Sequence, residues 1–149
     1  MLLALLAVSS CRFQDLTPGN SRRDEAMIQT TVGAFYQAIG TRSLEAMQRV
    51  ALPAATVLMA AERSPPVLVP VRTMIDVPER RNQGGGVRLV RTEYRPDGDI
   101  ATDRIVVVAH SSDGQREFEA ADVIVLARRA GEWRVAQAVF GPWKVRTAP

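Results

Sequence analysis

The sequence predicts an α+β domain with its helices first and its strands after, and three observations carry that expectation. Apolar residues recur at four-three-four spacing through Ile28, Val32, Phe35 and Ile39, which marks one buried helix face. After residue 86 come long apolar-rich segments, each parted from the next by a turn signal, the pattern of an antiparallel meander. No stretch repeats another, and a chain of 149 residues suits a single domain. Such a chain buries about two thirds of the surface it exposes when unfolded, enough for a real core.

The elements follow in order. Leu2 to Val8 is an unbroken apolar run, Ser9 and Ser10 are small, and Cys11, the only cysteine, comes next. This stretch resembles the end of a bacterial lipoprotein signal peptide, although no basic residue precedes Leu2. The resemblance implies cleavage after residue 10 and acylation of Cys11, with two acyl chains giving stable anchoring. The run is too short to span a bilayer. Residues 11–21 then form a tether, punctuated by Pro18-Gly19-Asn20, and residues 22–149 form the domain. Ser21 with Asp24 three positions on resembles a capping box, and Asp24 and Glu25 suit the positive end of a helix. Gly40 is the expected stop. Ser43 caps a shorter helix with Leu44, Met47 and Val50 inward, and Pro53 ends it.

Short strands are expected at residues 56–60 and 67–69, then a helical turn at 72–77 and a loop at 80–86 ending in three glycines. That triplet lacks the Lys-Ser/Thr of a phosphate loop. Strands are expected at 87–95, 100–110, 116–128 and 133–143, with turns at Pro96-Asp97-Gly98-Asp99, Ser111-Ser112-Asp113-Gly114 and Ala130-Gly131. Tyr94 and Asp103 flank the first hairpin and read as surface residues.

Composition narrows the function classes. The net charge is +3, and every basic residue but Lys144 is arginine. The arginines alternate with acids along the chain and build no single-sign stripe, so no nucleic-acid partner is expected. The pairs Arg22-Arg23, Arg80-Arg81 and Arg128-Arg129 read as solvated surface. One histidine, His110, and one cysteine leave only scattered carboxylates, so no metal and no cofactor is expected. A lone cysteine excludes an internal disulfide.

Three stretches carry a resemblance over residues 22–143: Phe35-Tyr36-Gln37-Ala38-Ile39 leading to Ser43-Leu44-Glu45-Ala46; Pro53-Ala54-Ala55-Thr56-Val57; and Asp122-Val123-Ile124-Val125-Leu126 followed by Gly131-Glu132-Trp133-Arg134-Val135. In this order they resemble the nuclear transport factor 2-like superfamily, which includes ketosteroid isomerase and SnoaL-like cyclases. The resemblance implies a strongly bent antiparallel sheet wrapped as a cone around the N-terminal helices, a ligand pocket at the open end, and dimers through the outer sheet face. A homodimer is also expected because residues 105–108 and 123–126 are apolar on both faces, and the helices can cover only one.

Asp122 is the leading candidate site residue. Strand alternation puts it on one face with Phe118, Ala120, Ile124 and Leu126. Desolvation there raises a carboxyl pKa and lets an acid donate; the alternative is an Asp that accepts bonds from backbone or arginine and fixes the sheet. By the resemblance, Asp122 falls where the isomerase keeps its oxyanion-stabilising acid. Phe35 falls at the family's tyrosine donor, beside Tyr36, and Met59 at the catalytic base. An isomerase needs both halves, and only one is present. The expected pocket is Phe35, Tyr36, Met59, Phe118, Asp122 and Ile124. The function expected is a membrane-anchored, non-catalytic module of the bacterial cell envelope that binds a small apolar ligand or a partner protein. The alternative is a small-molecule enzyme of isomerase, cyclase or dehydratase type with Asp122 and Tyr36 as donors.

Overall fold

A computed structural model describes residues 18–76, 87–110 and 116–146, with the backbone alone for 18–21, 87–88 and 91–94. The expected signal segment, Cys11, the glycine triplet and the Ser111-Ser112 turn lie outside the described residues.

Helix α1 runs Pro18–Thr41. It starts ahead of Ser21, because proline is tolerated in a first turn, where its missing N–H would be unbonded anyway. Asp24 therefore sits past the first turn, and its carboxylate serves a tertiary contact described below. The helix continues through Gly40. Its end is a Schellman motif: Ser43 N–H donates to Ala38 O (3.0 Å) and Arg42 N–H to Ile39 O (3.2 Å), with Arg42 in the left-handed region at φ 54°. Ser43 at once caps α2, Leu44–Val50, its hydroxyl accepting from Ala46 N–H at 3.1 Å.

Strand β1, Ala51–Met59, starts directly at the end of α2. Pro53 lies inside it, in a bulge where pairing to β6 lapses between Ala51 and Thr56. A strand proline is tolerated in such a place because no ladder N–H is needed there. Next come β2 (Val67–Pro70), a 3-10 turn (Val71–Ile75), β3 (Val87–Asp97), β4 (Ile100–His110), β5 (Glu117–Arg129), β6 (Glu132–Phe140) and β7 (Lys144–Val145). The segment expected as one strand to residue 143 is split at Gly141-Pro142, since proline cannot donate to a ladder.

The strand order is β2-β1-β6-β5-β4-β3, with β7 beside β5. The meander β3 to β6 is antiparallel as expected. The sheet as a whole is mixed, because β1 pairs parallel with β6. That pair joins strands far apart in sequence with no turn between them, so no local signal announces it. The sheet is strongly curved and unclosed. Its concave face packs on α1 through Ile28, Val32, Phe35 and Ala38 against Val57, Ile105, Val107, Ile124, Leu126, Val135 and Phe140, all buried. Each large side chain so buried contributes about 1.5–3 kcal/mol. On the outer face Val106, Val123, Val125 and Val139 are half-buried.

One end of the molecule is fastened by charge. Arg128 Nη1 donates to both Asp24 oxygens (3.1 and 3.2 Å) and its Nε to Asp99 Oδ1 (3.0 Å). Its guanidinium lies 5.0 Å from the Trp133 ring centroid, and Trp133 Nε1 donates to Asp24 Oδ1 at 3.3 Å. Arg128 is thus a tie between α1 and both hairpins; Arg22, Arg23 and Arg129 are exposed as expected.

Candidate functional site

Asp122 is 1% exposed and faces the concave side with Ala120, Ile124 and Leu126, as strand alternation requires. A buried carboxylate is tolerated only where it is bonded. Its partners include Tyr36, whose hydroxyl donates to Oδ2 at 2.7 Å, and Gly141, whose N–H donates to Oδ1 at 3.0 Å. Glycine is needed at 141, because a Cβ there would collide with the Ala121 carbonyl. The strand break after β6 thus brings a backbone donor against the acid. Tyr36 is oriented by rings: Phe35 stands edge-on at 5.7 Å and Phe140 lies 6.1 Å away.

The expected pocket residues divide accordingly. Tyr36 and Asp122 are directly bonded. Phe35 and Ile124 are fully buried and shape the wall rather than touch solvent. Tyr36, one position on, is the residue that reaches the acid. Met59 is half-buried at the end of β1, in register with Phe140, and Phe118 is half-buried near the start of β5. His110 is half-exposed, its Nε2 3.7 Å from Glu117 Oε1.

One polar residue of this wall departs from the sequence reading. Asp103, expected at the surface, is 1% exposed. It stands opposite Ile124 while Asp122 stands opposite Ile105, so the two acids are diagonal neighbours on one face. Such neighbours lie about 7–8 Å apart. The usable signal was alternation: Ala101, Asp103, Ile105 and Val107 share a face, and three of the four are apolar.

Three grooves lie elsewhere. One of about 420 Å³ runs between α1, Arg49 and Trp133. A second, of about 280 Å³, continues between α1 and α2 from Ala34 to Ser43. A third, of about 460 Å³, lies beside the β1 bulge, lined by Leu44, Met47, Leu52, Pro53 and Arg72 among others. Among the described residues no cluster of three His, Cys, Asp or Glu is arranged to hold a metal. No described helix is long and apolar enough to cross a membrane.

No family model matches the chain, and no curated protein matches it. Solved structures do. An NTF2-like protein of unknown function from Silicibacter pomeroyi aligns with TM-score 0.60 at 17% identity, over 85% of this chain and 98% of that one. Another from Shewanella baltica gives 0.58 at 15%, over 90% and 100%. A protein with a cystatin-like fold from Caulobacter vibrioides gives 0.61 at 14%, over 84% and 91%. The fold of this chain is therefore the nuclear transport factor 2-like, cystatin-like α+β cone.

Proposed function

We propose that this protein is a lipid-anchored, non-catalytic binding module of the bacterial cell envelope. Its cone accepts a small, mainly apolar molecule whose polar end meets Asp122 and Tyr36. The observation that carries the reading is the Tyr36–Asp122 bond set in an apolar wall. A polar contact fixed by surrounding packing orients a ligand, while the wall supplies the affinity. Support for a non-catalytic role comes from Met59, which stands where the resemblance puts a base. The half-buried valines of the outer sheet face support a homodimer through that face, as an apolar surface of this kind is covered in the assembled state.

Binding is tested by extracting the purified full chain with organic solvent and by a thermal-shift panel of apolar molecules. A recovered small molecule, or a rise in melting temperature, is expected. Empty protein with no shift across the panel would remove the binding reading. Anchoring is tested separately: labelled fatty acid should enter the chain, and Cys11→Ser should abolish it. A monomeric mass at micromolar concentration would count against the dimer.

A further inference from the structure

We infer that the groove beside the β1 bulge is a second binding site, one for a small alkyl carboxylate: the chain lies against α2 and the bulge, and the carboxylate meets Arg72. The inference goes beyond the cone reading and uses neither Asp122 nor Tyr36.

The groove follows from the bulge. Pairing of β1 with β6 lapses between Ala51 and Thr56, and a bulged strand bends. The hollow beside it holds about 460 Å³, inside the roughly 300–1,000 Å³ usual for small-molecule sites. Its walls are mostly apolar, with contributions from Leu44, Met47, Leu52, Pro53 and Val71. Leu44 leaves 48% of its surface in water, although Met47, one turn on, is buried. An alkyl chain laid on Leu44 removes that surface from water, which is favourable.

The head group follows from charge. Arg72 is the single charged residue of the lining. It stands exposed in the 3-10 turn after β2. Among the described residues its side chain makes no hydrogen bond or ion pair. The acids nearest the groove in sequence leave it free: Glu45 pairs with Arg49 at 2.7 Å, and Asp76, four positions on, makes no ion pair with it. A guanidinium fork matches a carboxylate with two parallel hydrogen bonds, and the apolar wall beside it favours a chain behind that head. A cationic head would meet no acid in the lining. The groove beside Trp133 differs, because both of its charged residues are already paired, Arg49 with Glu45 and Glu132 with Arg134.

The test titrates decanoate, decanol and decyltrimethylammonium against the full chain by calorimetry, each below its micelle-forming concentration. Decanoate is expected to bind about fivefold tighter than decanol, the upper range for an ion pair at an exposed site, with the ammonium weakest. Arg72→Gln should remove that preference and leave decanol binding in place. Arg49→Gln, a neighbouring exposed cation, should change neither. Leu44→Ser should weaken decanoate and decanol alike. Equal affinity for decanoate and decanol on the unaltered chain overturns the inference. So does a preference that survives Arg72→Gln, since the carboxylate then sits at another cation. Binding untouched by Leu44→Ser puts the chain in the cone, and the inference falls while the cone reading stands. If no probe binds but the chain sediments with phosphatidylglycerol vesicles through Arg72, the groove faces a lipid surface and the inference is overturned.

Discussion

Two buried aspartates tie different parts of the fold together. Asp24, 9% exposed, is met by a guanidinium and an indole N–H, with the same guanidinium stacked on the indole. Its charge is answered by a charge, and the contact joins α1 to both hairpin ends. Asp122 is more deeply buried, and a phenol and a backbone amide are among its partners. Through them it ties β5 to α1 and to the segment that leaves β6. Hydrogen bonds to an ionised carboxylate are stronger than those between neutral groups, so both acids hold distant elements together.

The comparison breaks most readily at Gly141. Replacing it by alanine drives a methyl into the Ala121 carbonyl and displaces the amide that holds Asp122 Oδ1. We expect Gly141→Ala to cost at least about 3 kcal/mol, the sum of overpacking and a buried acceptor left unbonded. Chemical denaturation measures it. A loss below about 1 kcal/mol would mean that β6 and β7 shift freely and that Asp122 is not rigidly placed.

Removing the charge at each acid sharpens the contrast. Asp24→Asn should cost about 2–3 kcal/mol, because Arg128 loses a partner within a contact of low exposure. Asp122→Asn should cost about 1–2 kcal/mol, because a neutral amide oxygen holds the Tyr36 hydroxyl and the Gly141 N–H less strongly than a carboxylate does. The two denaturation midpoints compare directly. Equal losses would make Asp122 a structural acid like Asp24, and the reading of the concave wall would lose its main support.

How much of this was legible without coordinates follows from the range of each signal. The helix stripe, the Ser43 cap and the four meander strands depend on neighbours in sequence, and all were readable. The parallel pairing of β1 with β6 joins segments far apart, and no periodicity reveals it. The end of α1 misled for a local reason: Gly40 invited a stop, but the left-handed position fell to Arg42. Alternation along β5 marks Asp122 as inward-facing, and the same alternation along β4 applies to Asp103, where the nearby hairpin turn points instead to the surface. Tyr36 was one position from the expected donor; only packing against Phe35 and Phe140 shows which of the two adjacent aromatics reaches the acid. The Asp24–Arg128–Trp133 contact links residues more than a hundred positions apart, beyond any motif.

The smallest expected effect lies at the clamped end, in the turn that follows Arg128. Ala130 takes φ 51° and Gly131 φ 83°, so the β5–β6 hairpin closes with two left-handed residues. Such a turn favours Asn-Gly, because asparagine tolerates the left-handed region and alanine does not. Ala130→Asn should therefore stabilise the protein by about 0.5 kcal/mol, or about 1–2 °C in melting temperature for a domain of this size. Ala130 is exposed, so the turn has room for the longer side chain. The gain should appear equally in the Asp122→Asn background, because the turn and the interior acid lie far apart along β5. A gain confined to one background would show that the fastened end and the concave wall are coupled, which would place both aspartates in one cooperative unit rather than two.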